Sequence, residues 1–193
     1  ELGETSDAAA QALGQFDPAQ VMPLVRIAAN DNDTGVRCGA IRALAEVKSP
    51  EVVDVLIDVL AKIPLLGTRN PNRPFVRTPR PGTQQPAVFF GDNASDAIAL
   101  NLPALEAQLL LELLQRASAH SEWHVRAALM KVLAKTLFDG ATNDQGEVSP
   151  GAAGLLNRPE VVQAQDAALL DPQKDVRAWA AVGLGLAYVK ITD

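Results

Sequence analysis

Val36-Arg37-Cys38-Gly39-Ala40-Ile41-Arg42-Ala43-Leu44 decides the fold, because two more versions of it lie downstream. They are Val125-Arg126-Ala127-Ala128-Leu129-Met130-Lys131-Val132-Leu133 and Val176-Arg177-Ala178-Trp179-Ala180-Ala181-Val182-Gly183-Leu184. In each, a small or apolar residue follows the Arg by three positions and a Leu follows it by seven, so Arg37, Ala40 and Leu44 share one face of a helix. An internal repeat of this kind implies stacked helical units, each unable to bury its apolar face alone.

Working outward from Leu44, a turn at Ser49-Pro50-Glu51 leads into Val52, Val53, Val55, Leu56, Ile57, Val59 and Leu60, the second helix of the unit. Upstream, Leu13 lies 31 positions before Leu44 and marks an earlier unit without the Val-Arg phrase. Its second helix starts at Asp17, a good N-cap, with Pro18 in the first helical position and Gln20 at capping-box spacing. The spacing predicts units over about 4–30, 31–62, 94–118, 121–170 and 171–190, the last a single helix, in one domain spanning 1–193. Insertions over 63–93 and 139–157 interrupt the period. The first has a proline every few residues and no helical periodicity, which rules out another hairpin there. Leu102-Pro103 is expected to open the long second helix of the third unit, and Gln173 to about Val189 to form the terminal helix.

The repeated phrase and the turn that follows it resemble HEAT repeats, especially the short bacterial HEAT-like kind found in phycobilin lyases and many scaffolds. The resemblance implies an all-α fold, a right-handed α-α superhelix of about four HEAT-like hairpins plus a terminal helix, with a Pro/Arg-rich insertion. It also implies a non-enzymatic scaffold or adaptor that binds protein, as part of something longer. A phycobilin lyase or isomerase is the alternative function, and a HEAT-like alkyl-purine DNA glycosylase a further one.

Composition narrows these choices. Aromatics make up 4 % of the 193 residues and Cys38 is the one cysteine, so no internal disulfide forms. A small buried thiol is the expected state of Cys38. No apolar run reaches the roughly 18 residues of a membrane span. The compartment stays open, with the cytoplasm favoured. The net charge of −6 argues against a surface that grips a phosphate backbone. Residues 64–93, with four Arg and one Asp, form the net-positive stretch of an otherwise acidic chain.

Arg37, Arg126 and Arg177 are expected to form a structural ladder, with acids such as Asp33 and Asp171 and the nearby turn carbonyls as partners. On the second helices, Glu51, Asp54 and Asp58 fall at helical spacing as an acidic stripe, continued by Glu112 in the next unit. Such a face attracts a basic protein segment. The insertion brings Arg69, Arg73, Arg77 and Arg80 together with Phe75, Phe89 and Phe90, residue types that dominate binding hot spots. These residues are the partner-binding candidates.

No metal and no cofactor are expected. His120 and His124 lack a third ligand at a recognisable spacing. The oxygen-rich loop of Asp139, Asn143, Asp144 and Glu147 departs from an EF-hand, with Ala141 at its third position and Pro150 at its twelfth. Asn93-Ala94-Ser95 matches a glycosylation acceptor but also a helix cap. Trp123 and Trp179 read as core or inter-unit packing. The two histidines, one cysteine and the single Tyr188 form no catalytic constellation.

Overall fold

A computed structural model describes residues 11–63, 93–139, 155 and 158–192. Among them are eight α-helices and one 3-10 turn, and no strand. The helices are α1 (Pro18–Ala28), α2 (Thr34–Glu46), α3 (Glu51–Leu60), α4 (Asn93–Asn101), α5 (Ala107–Ser118), α6 (Trp123–Asp139), α7 (Pro159–Leu169) and α8 (Lys174–Thr192). The insertion residues Arg69, Arg73, Phe75, Arg77, Arg80, Phe89 and Phe90 lie outside the described residues, as do Asn143, Asp144 and Glu147.

The helices start where capping chemistry places them. Asp17 accepts from the Ala19 amide at 3.0 Å and Pro18 takes the first helical position of α1. Asp33 accepts from the Val36 amide at 3.0 Å and opens α2. Before α3, the Ser49 hydroxyl accepts from the Glu51 amide at 3.3 Å. At the other end of α1, the Asn30 amide donates back to the Arg26 carbonyl at 2.8 Å, satisfying one of the orphan carbonyls of the last turn. Asp33→Ala is expected to cost about 1 kcal/mol, read as a fall in Tm of roughly 2–4 °C by differential scanning calorimetry.

One boundary differs from the sequence reading. Leu102-Pro103 opens a 3-10 turn, Leu102–Ala104, and Leu105 is extended (φ −61°, ψ 139°) before α5 begins at Ala107. The Leu105 amide donates to the Leu102 carbonyl at 3.2 Å and closes this turn, and Leu102 and Leu105 are both buried. The terminal helix α8 starts at Lys174 and runs to Thr192, beyond the expected end.

The elements form two rows. In one, α2, α4, α6 and α8 stack in order; in the other, α1, α3, α5 and α7 do, and each helix of the second row also packs on the next helix of the first. This is an all-helical solenoid. Its helices bury their repeat positions as the phrase requires: Ala40, Leu129 and Ala180 are buried three residues after the Arg, and Leu44 and Leu133 seven after it. Helix α6 has neighbours on both sides of its row and three more helices beneath it. It is accordingly buried over most of its surface, with Val125, Ala127, Ala128, Val132, Leu133 and Ala134 all sealed from solvent.

That enclosure produces an outcome the sequence reading missed. Lys131 and Lys135, on successive turns of α6, are buried, and the Lys131 ammonium lies 6.0 Å from the centre of the Trp179 ring, within cation–π range. Trp179 is half-buried against the core as expected, whereas Trp123 is 37 % exposed and meets His124 edge-on. Trp123 is the first residue of α6, where the helix emerges from the stack, so it is not a core residue.

Candidate functional site

Two polar systems run along this frame, one at the turns that lead into the first-row helices and one across the second-row helices. At the turns, the repeated arginines make the same pair of bonds. Arg37 Nη1 donates to the carbonyls of Asp31 (2.7 Å) and Asn32 (2.8 Å), Arg126 Nη1 to His120 (2.7 Å) and Ser121 (3.1 Å), and Arg177 Nη1 to Asp171 (2.7 Å) and Pro172 (2.9 Å). The residue six before each Arg also closes its own turn. The Asp31 carboxylate accepts from the Asp33 amide, the His120 ring from the Glu122 amide and the Asp171 carboxylate from the Gln173 amide. The Asx-type turn presents two carbonyls side by side, and the guanidinium spans them.

Arg126 does more. Its Nε and Nη2 grip Asp171 Oδ2 and Oδ1 at 2.7 and 3.1 Å, a bidentate pair between one unit and the next, with side chains only 14 % and 10 % exposed. The Asp171 carboxyl is held below the usual carboxylate range, first by the Arg126 hydrogen bonds and also by the Gln173 amide, with burial opposing. Arg126 is raised in turn by the same hydrogen bonds. Asp33 faces its own helix as an N-cap rather than pairing with Arg37, and Glu122 lies 3.7 Å from His124.

The expected acidic stripe is present but laced with cations. Arg26 on α1 reaches Asp58 on α3 at 3.4 Å; Arg116 on α5 reaches Asp54 on α3 at 2.5 Å and Glu112 on its own helix at 3.0 Å. The Asp54 and Glu112 hydrogen bonds raise the pKa of Arg116. The Lys62 ammonium donates to the Asn30 side chain. Sequence reasoning passed over Arg26 and Arg116, although both sit in the last turn of a second helix, where Asp58 stands on the helix between them. The face therefore carries four acids, Glu51, Asp54, Asp58 and Glu112, against two arginines and Lys62. All four members of the cross-helix pairs are roughly half exposed, so each pair contributes at most about 1 kcal/mol to stability.

Between Ser118, Arg126, Met130, Ala168 and Asp171 lies a cleft of about 60 Å³, room for water rather than the roughly 300–1,000 Å³ of a ligand pocket. The buried Ser118 hydroxyl lines it, with no hydrogen-bond partner among the described residues. Among the described residues, no group of three or more His, Cys, Asp or Glu side chains could hold a metal ion, and no helix is long and apolar enough to cross a membrane.

Comparison with known proteins gives one match. Residues 3–65, which take in α1, α2 and α3, fit the family model for HEAT repeats. No curated protein and no solved structure matches the chain. HEAT repeats generally mediate protein–protein interaction. Over residues 3–65 the chain is thus similar to HEAT repeats, and its described helices continue as two stacked rows of an all-helical solenoid.

Proposed function

We propose that the chain is a non-enzymatic interaction module that holds a protein partner along α1, α3 and α5, and that the partner offers a basic segment. The observation that supports this reading is the continuous charged strip across three successive second helices. Its side chains are oriented by the Arg26–Asp58 and Arg116–Asp54 pairs, and its four acids stand against three cations, Arg26, Arg116 and Lys62. Pairs this exposed add little to folding, whereas a strip of ordered charge steers and aligns an oppositely charged partner. The same acid excess repels a phosphate backbone. Arg69, Arg73, Arg77 and Arg80, with Phe75, Phe89 and Phe90, are proposed as a second contact region at the insertion, on their composition. The tetrapyrrole-handling alternative finds no support in the 60 Å³ cleft.

The test is affinity capture from source lysate with quantitative mass spectrometry. The baits are the wild type, a variant with Glu51, Asp54, Asp58 and Glu112 changed to their amides, and a variant with the four insertion arginines changed to Ala, each checked for helical content by circular dichroism. The wild type is expected to enrich a specific protein at least tenfold over the amide variant. A partner held equally by all three baits, or no partner on any, would contradict the proposal.

A further inference from the structure

The turns that lead into α2, α6 and α8 are built alike, with one chemical difference. Six residues before each Arg stands a side chain that accepts from the amide two residues on. The Asp31 carboxylate accepts from Asp33 at 2.7 Å and the Asp171 carboxylate from Gln173 at 2.8 Å, but in the middle turn the His120 ring accepts from Glu122 at 3.1 Å. A carboxylate of ordinary acidity remains an acceptor down to about pH 4. An imidazole changes its charge between about pH 5 and 8.

The accepting atom is His120 Nδ1, so the ring in this turn is neutral and carries its proton on Nε2. Protonation puts a second N–H on Nδ1, and two donors then face each other across the turn. The charged side chains disposed around the turn are engaged elsewhere. From α6, Arg126 donates to the His120 and Ser121 carbonyls and holds Asp171 of the α7–α8 turn. From α5, Arg116 is bonded to Asp54 and Glu112. The Glu122 carboxylate lies 3.7 Å from His124 Nδ1.

We propose that the α5–α6 turn is a pH-sensitive element, in which protonation of His120 breaks its bond to the Glu122 amide and loosens the start of α6 while the Asp31 and Asp171 turns stay closed. The accepting form is the neutral one, so the bond contributes above the histidine range and is lost as pH falls through it. His124 acts with the opposite sign, because its charged form gains from Glu122. Arg126 keeps its partners, which are backbone carbonyls and Asp171. This device uses neither the charged strip nor a partner, so it stands apart from the interaction-module reading.

The test is a titration of the intact 15N-labelled chain from pH 8 to pH 5 by nuclear magnetic resonance. The Glu122 amide signal is expected to move in one step together with the His120 ring signals, while the Asp33 and Gln173 amides stay in place. Calorimetry gives a second reading, with His120→Asp installing the carboxylate of the other two turns. Between pH 7.5 and pH 5.5 the wild type is expected to lose roughly 2–4 °C more Tm than this variant does. His124→Gln is expected to lose at least as much as the wild type. A Glu122 amide that does not follow His120, or an equal loss of Tm in the wild type and His120→Asp, would overturn the proposal.

Discussion

Arg126→Ala is expected to destabilise the protein by about 2–3 kcal/mol, seen as a fall in Tm of roughly 5–10 °C. The substitution removes both bonds to Asp171 and both to the His120 and Ser121 carbonyls. It also leaves a carboxylate that is 90 % covered without its cation. The figure lies below the range for fully buried pairs because the cleft beside the pair admits water. The effect carries a pH signature. Asp171 has a depressed pKa in the folded protein, so its contribution is present above the unfolded value near 3.8 and is lost as pH falls through the lower folded value. The stability gap between wild type and Arg126→Ala is therefore expected to be constant from pH 5 to 8 and to narrow below about pH 4. A gap that stayed unchanged to pH 2 would show that the ion pair contributes nothing.

Leu113→Ala is expected to have the largest effect of any single truncation in the second row, about 3 kcal/mol. Leu113 is fully buried on α5, and α5 packs against α3, α6 and α7 together. Three fixed neighbours limit how far the site can collapse around the lost atoms, and cavity cost grows as collapse is prevented. The check is the urea midpoint, which should fall by about 1–2 M for a protein of this size. Ile27→Ala, at a position 70 % exposed on α1, is the contrast and is expected to stay within about 0.5 kcal/mol of wild type.

The parts of the fold that are local in the chain were legible in the sequence. The Val-Arg phrase, its Leu seven residues on, and the caps Asp17 and Asp33 each rest on neighbours within one or two turns, so spacing alone conveys them. The start of α5 was not legible, because Leu102-Pro103 carries a helix-start signal that the chain spends on a single 3-10 turn, closed by the Leu105 amide on the Leu102 carbonyl. Burial of Lys131 and Lys135 follows from α6 lying between neighbours on every side, a property of stacking that no local pattern encodes. The Arg126–Asp171 pair joins residues 45 apart, and Arg116 meets Asp54 across 62. The acidic stripe was visible residue by residue, but the cations that cross it arrive from neighbouring units.

The central claim is that Arg126, through its bidentate pair with Asp171, is a joint between stacked units. Native-state hydrogen exchange on the wild type and on Asp171→Asn tests it most directly, since the amide keeps the turn acceptor while discarding the charge. In a solenoid each unit touches only its neighbours. Protection in α8 is therefore expected to fall at least tenfold while α1 to α3 exchange as in the wild type. Unchanged protection in α8, or an equal loss along the whole chain, would contradict the claim.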